Sequence, residues 1–431
     1  MERIYSNCAG LDVHKKFVTV CRLTVDEHGQ EHKELRNCGT MTADLEALAD
    51  WLAEGGVTHV AMESTGVYWQ PIYNLLEGRF ELYLVNPQTI KRMPGRKTDM
   101  KDAEWIATLM QHGLLQRSFI PTREQCELRD LARYRLNLVQ ERNRFVNRLQ
   151  KVLEATNIKL ASVVSDMQGA SAQAILRELL AGKANVKELT ELARGQLRKK
   201  QEQLERALVG RMSASQRFLL TNLLAQMDFL DEQLTAVDQR IETLLAGSPP
   251  FLEAVRRLDT IPGISRQIAI LVVAEMGADM ARFPSDRHLT AWAGVAPGNY
   301  QTGGKSRSGK ARQGNKYLQR ALVLAAHAAA RSKHGYLRSL YYRLAAHRGK
   351  ARAAVAVGRT ILQAAYFMLK RDVDYHDLGE HYLDQLDRDH VAKRLVKRLQ
   401  AMGFVVNLTQ ADPACADAPR LPSVAPLPLA S

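Results

Sequence analysis

The sequence predicts an α/β domain, followed by a long helical region and a mainly helical, basic domain. Within residues 1–120, short runs with strand-like alternation are separated by a segment with helical spacing of apolar residues. From about residue 122 to 245 apolar residues recur at helical steps, and later segments combine helical patterns with many Lys and Arg residues. The predicted divisions are 1–121, 122–247, 251–375, a helical basic extension 376–409 and a disordered, proline-rich tail 410–431.

Three strands and one helix are predicted in the first division. Residues 11–23 alternate in the manner of a strand, 57–62 form a short β-branched run, and 81–85 form a third apolar run. Between the first two, residues 42–51 have helical spacing, with Thr42 as the expected N-cap. Strands that alternate with helices indicate a layered α/β domain.

Two stretches of the helical region have the apolar spacing of a coiled-coil seam. The first repeats at steps of seven residues, and the second alternates steps of three and four. A seam of this kind pairs either with a second copy of the chain or with another helix of the same chain, and the spacing leaves both open. The seam residues are Leu131, Leu138, Phe145, Val152, Leu220, Leu223, Met227, Leu230, Leu234, Val237, Ile241 and Leu244.

Composition restricts the class of protein. The 431 residues include 60 Lys and Arg against 46 Asp and Glu, a formal net charge of +14, so a polyanion is the first partner to consider. Solvated basic faces are the alternative. A hydrophobic fraction of 46% excludes disorder of the whole chain, and five cysteines without a C-x-x-C pair support neither a disulfide framework nor a zinc site. Without a signal core or a long apolar stretch, we expect a soluble, cytoplasmic protein that does not enter a membrane.

Four carboxylates stand where strands end or helices begin. Asp12 lies in GLDVHKK, Glu63 ends the second strand in AMESTG, and Asp99 and Asp102 stand three residues apart in KTDMKDAEWIA. A single carboxylate at a strand end or a helix start is usually solvated or caps the helix. Gathered together they would repel one another unless a hard divalent cation, Mg²⁺ or Mn²⁺, neutralised them, and two such ions about 4 Å apart can support phosphoryl transfer.

A basic rim surrounds these acids in the sequence. A metal-binding acidic pocket with cations around it is what a phosphodiester site requires, because the cations hold the nucleic-acid backbone. The rim residues are Lys91, Arg92, Arg96, Lys97 and Lys101.

A second basic segment, residues 303–320, contains no acid and four glycines, which predicts a flexible loop that contacts DNA or RNA phosphates. It is not an ATP-binding P-loop, because Asn299 stands where that motif needs glycine. Its cations are Lys305, Arg307, Lys310, Arg312, Lys316 and Arg320. Upstream, the IPGI turn at Gly263 reads either as a DNA-backbone-binding helix-hairpin-helix or as a corner in a core.

These motifs resemble a known family. GLDVHKK, MESTGVYW and NPQTIKRMPGRKTDMKDAEWIA are similar to the N-terminal domain of the DEDD-type bacterial insertion-sequence transposases of family 110, with its 1111 branch. LDTIPGISRQIAILVVAEMGADMARFPSDRHLTAWAGVAPGN and GKSRSGKARQGNKYLQRAL resemble the C-terminal domain of the same family. The similarity spans about residues 5–375, with the motifs in the family's order.

The resemblance implies a resolvase-like RNase H fold with the four acids, Asp12, Glu63, Asp99 and Asp102, as metal ligands. It further implies a DNA transposase that uses a noncoding bridge RNA, a homo-oligomer (dimer or tetramer) and a covalent serine nucleophile in the C-terminal domain. At the position of that serine this chain has Thr302. Either Thr302 acts, or one of the serines at 306 and 308 replaces it, or the chain is impaired.

The sequence therefore predicts a nucleoid-associated transposase that binds DNA and breaks and rejoins strands by metal-dependent transesterification. Two alternatives remain at this point. One is a resolvase-like, structure-selective endonuclease that uses water, and the other is a DNA-binding protein with a decayed acidic site. The residues expected at the site are Asp12, Glu63, Asp99, Asp102, Thr302, Ser306 and Ser308, with Gly263, Lys305, Arg307, Lys310, Arg312 and Lys316 at the DNA.

Overall fold

The fold is taken from a computed structural model of the chain. The structure describes residues 3–26, 28–64, 66–87, 90, 93, 102–118, 120–182, 184–302, 305–309 and 313–409, with the backbone described for 299–302 and 305–309. Internal contacts divide the chain into two compact units, Met1–Cys126 and Glu127–Ser431. The predicted tail, 410–431, lies outside the described residues.

A five-stranded mixed sheet forms the centre of the first unit. Its strands are β1 (Cys8–Val13), β2 (Phe17–Val25), β3 (Glu31–Gly39), β4 (His59–Glu63) and β5 (Glu81–Val85). Their order in the sheet is β3-β2-β1-β4-β5, with β2 antiparallel to β1 and β3, and with β4 and β5 parallel to β1. The helices of this unit are α1 (Thr42–Glu54), α2 (Trp69–Leu76) and α3 (Asp102–Gln111).

Each face of the sheet buries an apolar layer, because successive strand residues point to opposite faces. On one face Leu11 of β1 packs in a cluster with Leu48 of α1 and Ile72 of α2. On the other, Ala61 of β4 packs with Ile106 of α3. The first unit is therefore a three-layer α/β/α domain, as the sequence predicts.

Three details of this unit differ from the prediction. Residues 11–23 belong to two strands, β1 and β2, because a turn between Val13 and Phe17 folds the run into a hairpin. Strand β3 has no predictive pattern, because it is an edge strand whose first seven residues are all exposed. Thr42 is the first residue of α1 rather than its N-cap; the N-cap is Met41.

The second unit is mainly helical, and its first helix, α4 (Arg123–Ala155), begins just before the division between the units. Short helices follow: α5 (Leu160–Val163), α6 (Ala170–Ala181), α7 (Val186–Glu191) and α8 (Gln201–Leu208). The later elements are α9 (Ala214–Gly247), α10 (Pro249–Asp259), α11 (Arg266–Met276), α12 (Asp286–Trp292), β6 (Gly298–Thr302), β7 (Lys305–Gly309), α13 (Lys316–Ala330), α14 (Tyr336–Arg348), α15 (Lys350–Arg371), α16 (Tyr382–Gln385) and α17 (Arg388–Ala401). No helix in these described ranges is long and apolar enough to cross a bilayer.

Helices α4 and α9 form an antiparallel pair within the chain. Arg135 of α4 bonds to Asp238 of α9, and seven residues further along α4, Arg142 bonds to Asp231, seven residues back along α9. The apolar seam follows the same course, since Leu149 of α4 is buried in one cluster with residues of α9. The structure shows the hairpin within one chain, which is one of the two interpretations of the seam.

The C-terminal part of this unit encloses a second core, formed by α10 to α15 with α4 and α9. Strands β6 and β7 make a two-stranded antiparallel hairpin. Because β7 holds residues 305–309, the basic segment predicted as a loop is partly a strand. Of its other cations, Lys316 and Arg320 lie in α13, and those at 310 and 312 lie outside the described residues.

Candidate active site

The register of two parallel strands brings Asp12 and Glu63 side by side. Leu11 of β1 pairs with Met62 of β4. Asp12 and Glu63 are the next residues of these two strands, so they occupy neighbouring positions at the carboxyl ends. Neighbouring strands in a sheet lie about 4.8 Å apart. Leu11 and Met62 both belong to the core beneath α1 and α2, and Asp12 and Glu63 therefore belong to the opposite face, which α3 covers.

Helix α3 crosses this face in the direction opposite to β1. The thiol of Cys8, near the start of β1, contacts the carbonyl oxygen of Ala107 at 3.6 Å, whereas Gly10 lies beneath Ala103 and Ala107. Moving along β1 toward Asp12 thus means moving back along α3 toward its first residue, Asp102. The N-terminus of α3 lies at the end of the sheet where the first two carboxylates stand.

The immediate partners of these acids are partly visible. The Oδ2 atom of Asp12 lies 3.1 Å from Nε2 of His14, and the Asp12 side chain is 24% exposed. In the first turn of α3, Glu104 accepts a hydrogen bond from Lys33 of β3 at 2.6 Å, which ties the helix to the edge of the sheet. The Asp12 carboxylate is therefore accessible without being fully solvated.

Of the four predicted ligands, Asp12, Glu63 and Asp102 are described, and Asp99 lies outside the described residues. Among the side chains that the structure describes, no group of three or more His, Cys, Asp or Glu residues could hold a metal ion. Strand register and the direction of α3 place these three residues toward one end of one face, but their described side chains do not form a metal-binding group, and Asp102 is exposed. The predicted basic rim, Lys91, Arg92, Arg96, Lys97 and Lys101, also lies outside the described residues.

The candidate nucleophiles lie on the hairpin β6–β7. Thr302 ends β6 and pairs with Lys305, the first residue of β7; Ser306 pairs with Gln301, and Ser308 with Asn299. Residues that face one another across an antiparallel ladder, or that stand two apart in a strand, share a face. Positions 302, 305 and 307 therefore lie on one face of the hairpin, and positions 306 and 308 on the other.

A buried network fixes the start of α13, the helix that follows this hairpin in the chain. Glu275 of α11 is fully buried and accepts two hydrogen bonds from Arg133 of α4, at 2.6 and 2.8 Å. Its Oε2 atom also accepts a hydrogen bond from Asn315 at 2.6 Å, and Asn315 caps α13 by accepting from the backbone N–H of Tyr317 and Leu318. Burial acts to lower the pKa of Arg133, but the hydrogen bonds and charge of Glu275 outweigh it and raise that pKa above its usual value.

Just before α13, the chain makes a close contact between two glycines. A Cβ at Gly314 would come 2.5 Å from the carbonyl carbon of Ala293 and closer still to the backbone nitrogen of Gly294. The sequence analysis missed the network because Arg133, Glu275 and Asn315 are far apart in the chain. No local pattern marks them; the one available signal was an acid within the apolar run of α11.

Two predicted DNA contacts are described outside the hairpin. Lys316 is the exposed first residue of α13. Gly263 has a φ of +92°, and a Cβ there would come 2.9 Å from the Cβ of Ala329, so the IPGI turn packs against α13. That packing is the property of a core corner, and DNA contact by Gly263 stays a prediction.

The five-stranded mixed sheet, its flanking helices and the acidic end of β1 and β4 define an RNase H-like domain, followed by a largely helical remainder. Comparison with known proteins agrees. A family model for DEDD transposases of the IS110 type matches residues 9–158, and a model described as "Transposase IS116/IS110/IS902 family" matches residues 255–343. The chain belongs to the IS110 family of transposases, which confirms the resemblance seen in the sequence.

Three relatives illustrate the match. The transposase for insertion sequence element IS1328 of Yersinia enterocolitica is 27% identical over 278 residues, covering 64% of this chain and 72% of that protein. A probable family 20 transposase of Pseudomonas aeruginosa is 24% identical over 326 residues, covering 75% and 83%. The transposase for insertion sequence element IS1111A of Coxiella burnetii is 25% identical over 304 residues, covering 68% and 72%.

Proposed function

We propose that this transposase breaks and rejoins DNA strands by metal-dependent transesterification, at a site built from Asp12, Glu63, Asp99 and Asp102. One observation carries the proposal. Asp12 and Glu63 occupy adjacent positions at the ends of two parallel strands, on the face where α3 begins with Asp102. Carboxylates brought together at such a site would repel one another, and a bound cation would relieve that repulsion.

The donor set suits a divalent cation of the hard class. It consists of carboxylate oxygens, and Mg²⁺ commonly takes only one or two carboxylates, completing its shell with water and substrate phosphate. Mg²⁺ or Mn²⁺ bound here would stabilise charge on the attacking and leaving oxygens. The protein's own contribution is to fix the carboxylates on strand ends and a helix start, which are rigid elements.

We further propose Thr302 as the covalent nucleophile, with the serines at 306 and 308 as its alternatives. In the proposed step the Thr302 hydroxyl oxygen bonds to phosphorus, the bond from phosphorus to the 3′-oxygen breaks, and the 3′-oxygen leaves with a proton as a free hydroxyl. Attack by another DNA 3′-hydroxyl on the phosphothreonine reverses the step and rejoins the strand. Thr302 shares its hairpin face with Lys305 and Arg307, whose cations would hold the scissile phosphate.

The partners follow from this chemistry. The DNA substrates are the ends of the mobile element and its target, and we propose that a noncoding bridge RNA selects them, as the family resemblance implies. We also propose a homo-oligomer, dimer or tetramer, in which the acidic domain of one copy works with the hairpin of another. RNA guidance would fail if the element's flanks encoded no RNA that the purified protein binds.

The test is to remove one carboxylate charge at a time. We expect Asp12→Asn and Glu63→Gln to leave DNA binding within about twofold of wild type and to abolish excision and integration, because the cations of the DNA-binding surface are untouched. Asp50→Asn is the matched control, since Asp50 is an exposed acid of the same domain that pairs with Arg79 on the surface. Full activity of either site variant would overturn the proposal.

A further inference from the structure

A cavity in the second unit lies between α4 and the first turns of α13, a few residues after the basic hairpin. Its volume is about 500 Å³, which is within the range of small-ligand sites. The described side chains that line it include no carboxylate. They include three amides, one phenol and two cations: Asn137, Gln140, Gln319, Tyr317, Lys316 and Arg320.

We propose that this cavity binds one unpaired nucleotide of the nucleic acid held by the basic hairpin, a role that rests on the proposed function. Cations alone would suffice to hold a duplex backbone, and here Lys316 and Arg320 are suited to the phosphate. An aromatic ring and side-chain amides add what a base needs, namely a surface for stacking and donors and acceptors for its edge.

The aromatic ring of the cavity is held in place before any ligand binds. The guanidinium of Arg133 lies over the Tyr317 ring, 4.4 Å from its centre, and Arg133 is itself fixed by two hydrogen bonds to the buried Glu275. A fixed ring loses little conformational freedom when a base stacks on it, which favours binding.

The amides divide into one that is engaged and two that are suited to reading a base. Gln319 donates a hydrogen bond from Nε2 to the backbone oxygen of Gly294, at 3.3 Å, so this amide is tied to the turn below the hairpin. Asn137 and Gln140 stand three residues apart on α4 and therefore share a face of the helix. Paired amides can contact the edge of an extruded base, and a nucleic-acid strand that passes from the hairpin to Lys316 would deliver that base to them.

The test compares binding of the full-length chain to three probes: a DNA duplex, the same duplex with a single-nucleotide bulge, and the same bulge with its base removed. Fluorescence anisotropy gives the affinities. We expect wild type to prefer the bulge over the duplex by at least about fivefold, and to lose that preference when the base is absent. An RNA strand carrying the bulge, annealed to DNA, tells whether the nucleotide is taken from DNA or from RNA.

The variant Asn137→Ala with Gln140→Ala is expected to remove the preference for the bulge while keeping the duplex affinity and its salt dependence. Tyr317→Leu should do the same and should also abolish the quenching of a 2-aminopurine placed in the bulge. Gln239→Ala is the control, because this exposed residue of α9 does not line the cavity.

The outcomes separate this inference from the function on which it rests. Equal binding of duplex and bulge by wild type, or a preference that survives in the double variant, overturns the nucleotide site and leaves the transposase proposal standing. Absence of binding to every probe would instead contradict the proposed DNA-binding function, and the nucleotide site with it.

Discussion

Gly10 of β1 lies directly against the backbone of α3 at Ala103. A Cβ at position 10 would come 2.9 Å from the Cα of Ala107 and closer still to the carbonyl oxygen of Ala103. Only glycine allows the helix to approach the strand so closely. Asp12 follows Gly10 on the same face and Asp102 precedes Ala103, so this contact joins the strand and the helix that carry the two carboxylates.

The first prediction tests that contact. Gly10→Ala should destabilise the N-terminal unit by about 1–3 kcal/mol, because backbone rather than a flexible side chain must move. Strand-transfer activity should fall by more than the loss of folded protein explains, since a displaced α3 would shift Asp102 relative to Asp12. Urea unfolding and an excision assay measure the two effects.

Gly247→Ala is the control for this substitution. Nothing lies within 4 Å of a Cβ built at Gly247, and alanine suits a helix better than glycine, so the change should lower neither stability nor excision. If the Gly10→Ala protein unfolds at the same urea concentration as wild type, the packing of α3 on β1 does not require glycine at position 10.

The sequence predicted the strands that carry Asp12 and Glu63 better than it predicted the edge strand β3. Asp12 and Glu63 follow apolar strand runs, and such runs are visible in a single sequence because buried strands must be apolar. Strand β3 was not visible, because an edge strand paired on one side only can be polar throughout, as residues 31–37 are. The ion pairs of Arg135 and Arg142 with α9 show that the two helices pair within the chain, which spacing alone could not show.

The second prediction concerns the nucleophile. Thr302→Ala should abolish the covalent protein–DNA adduct seen on a denaturing gel, and Thr302→Ser should restore it, because serine lacks the methyl group that crowds attack on phosphorus. Thr221→Ala is the control, since Thr221 is an exposed residue of α9 and lies outside the hairpin.

Two results would contradict this assignment. An adduct that persists in Thr302→Ala but disappears in Ser306→Ala would move the role to that serine. DNA cleavage by wild type with no adduct at any time would indicate attack by water, as in a resolvase-like endonuclease.

The third prediction concerns the buried network below the hairpin. Glu275→Ala leaves Arg133 and Arg129 without the carboxylate that neutralises them, and breaking a buried ion pair in this way costs about 3–5 kcal/mol. We expect a correspondingly lower urea midpoint for the second unit.

Glu242→Ala is the matched control, because Glu242 makes an exposed ion pair with Arg266 and such pairs contribute about 0–1 kcal/mol. If both variants unfold alike, the Glu275 network contributes no more than a surface pair, and it cannot be what fixes the start of α13.

The last prediction concerns two thiols of the first unit. Burial, with smaller effects from nearby charges, raises the pKa of Cys8 and of Cys21 to about 12, so at pH 8 the thiolate of each is about 10⁴-fold scarcer than the thiol. In the folded protein iodoacetamide should therefore leave both unmodified while it labels the partly exposed Cys126. Urea should expose them and bring all three to similar rates, as peptide mass spectrometry can follow. Rapid labelling of Cys8 in the native state would mean that α3, whose Ala107 carbonyl contacts this thiol, separates readily from the sheet.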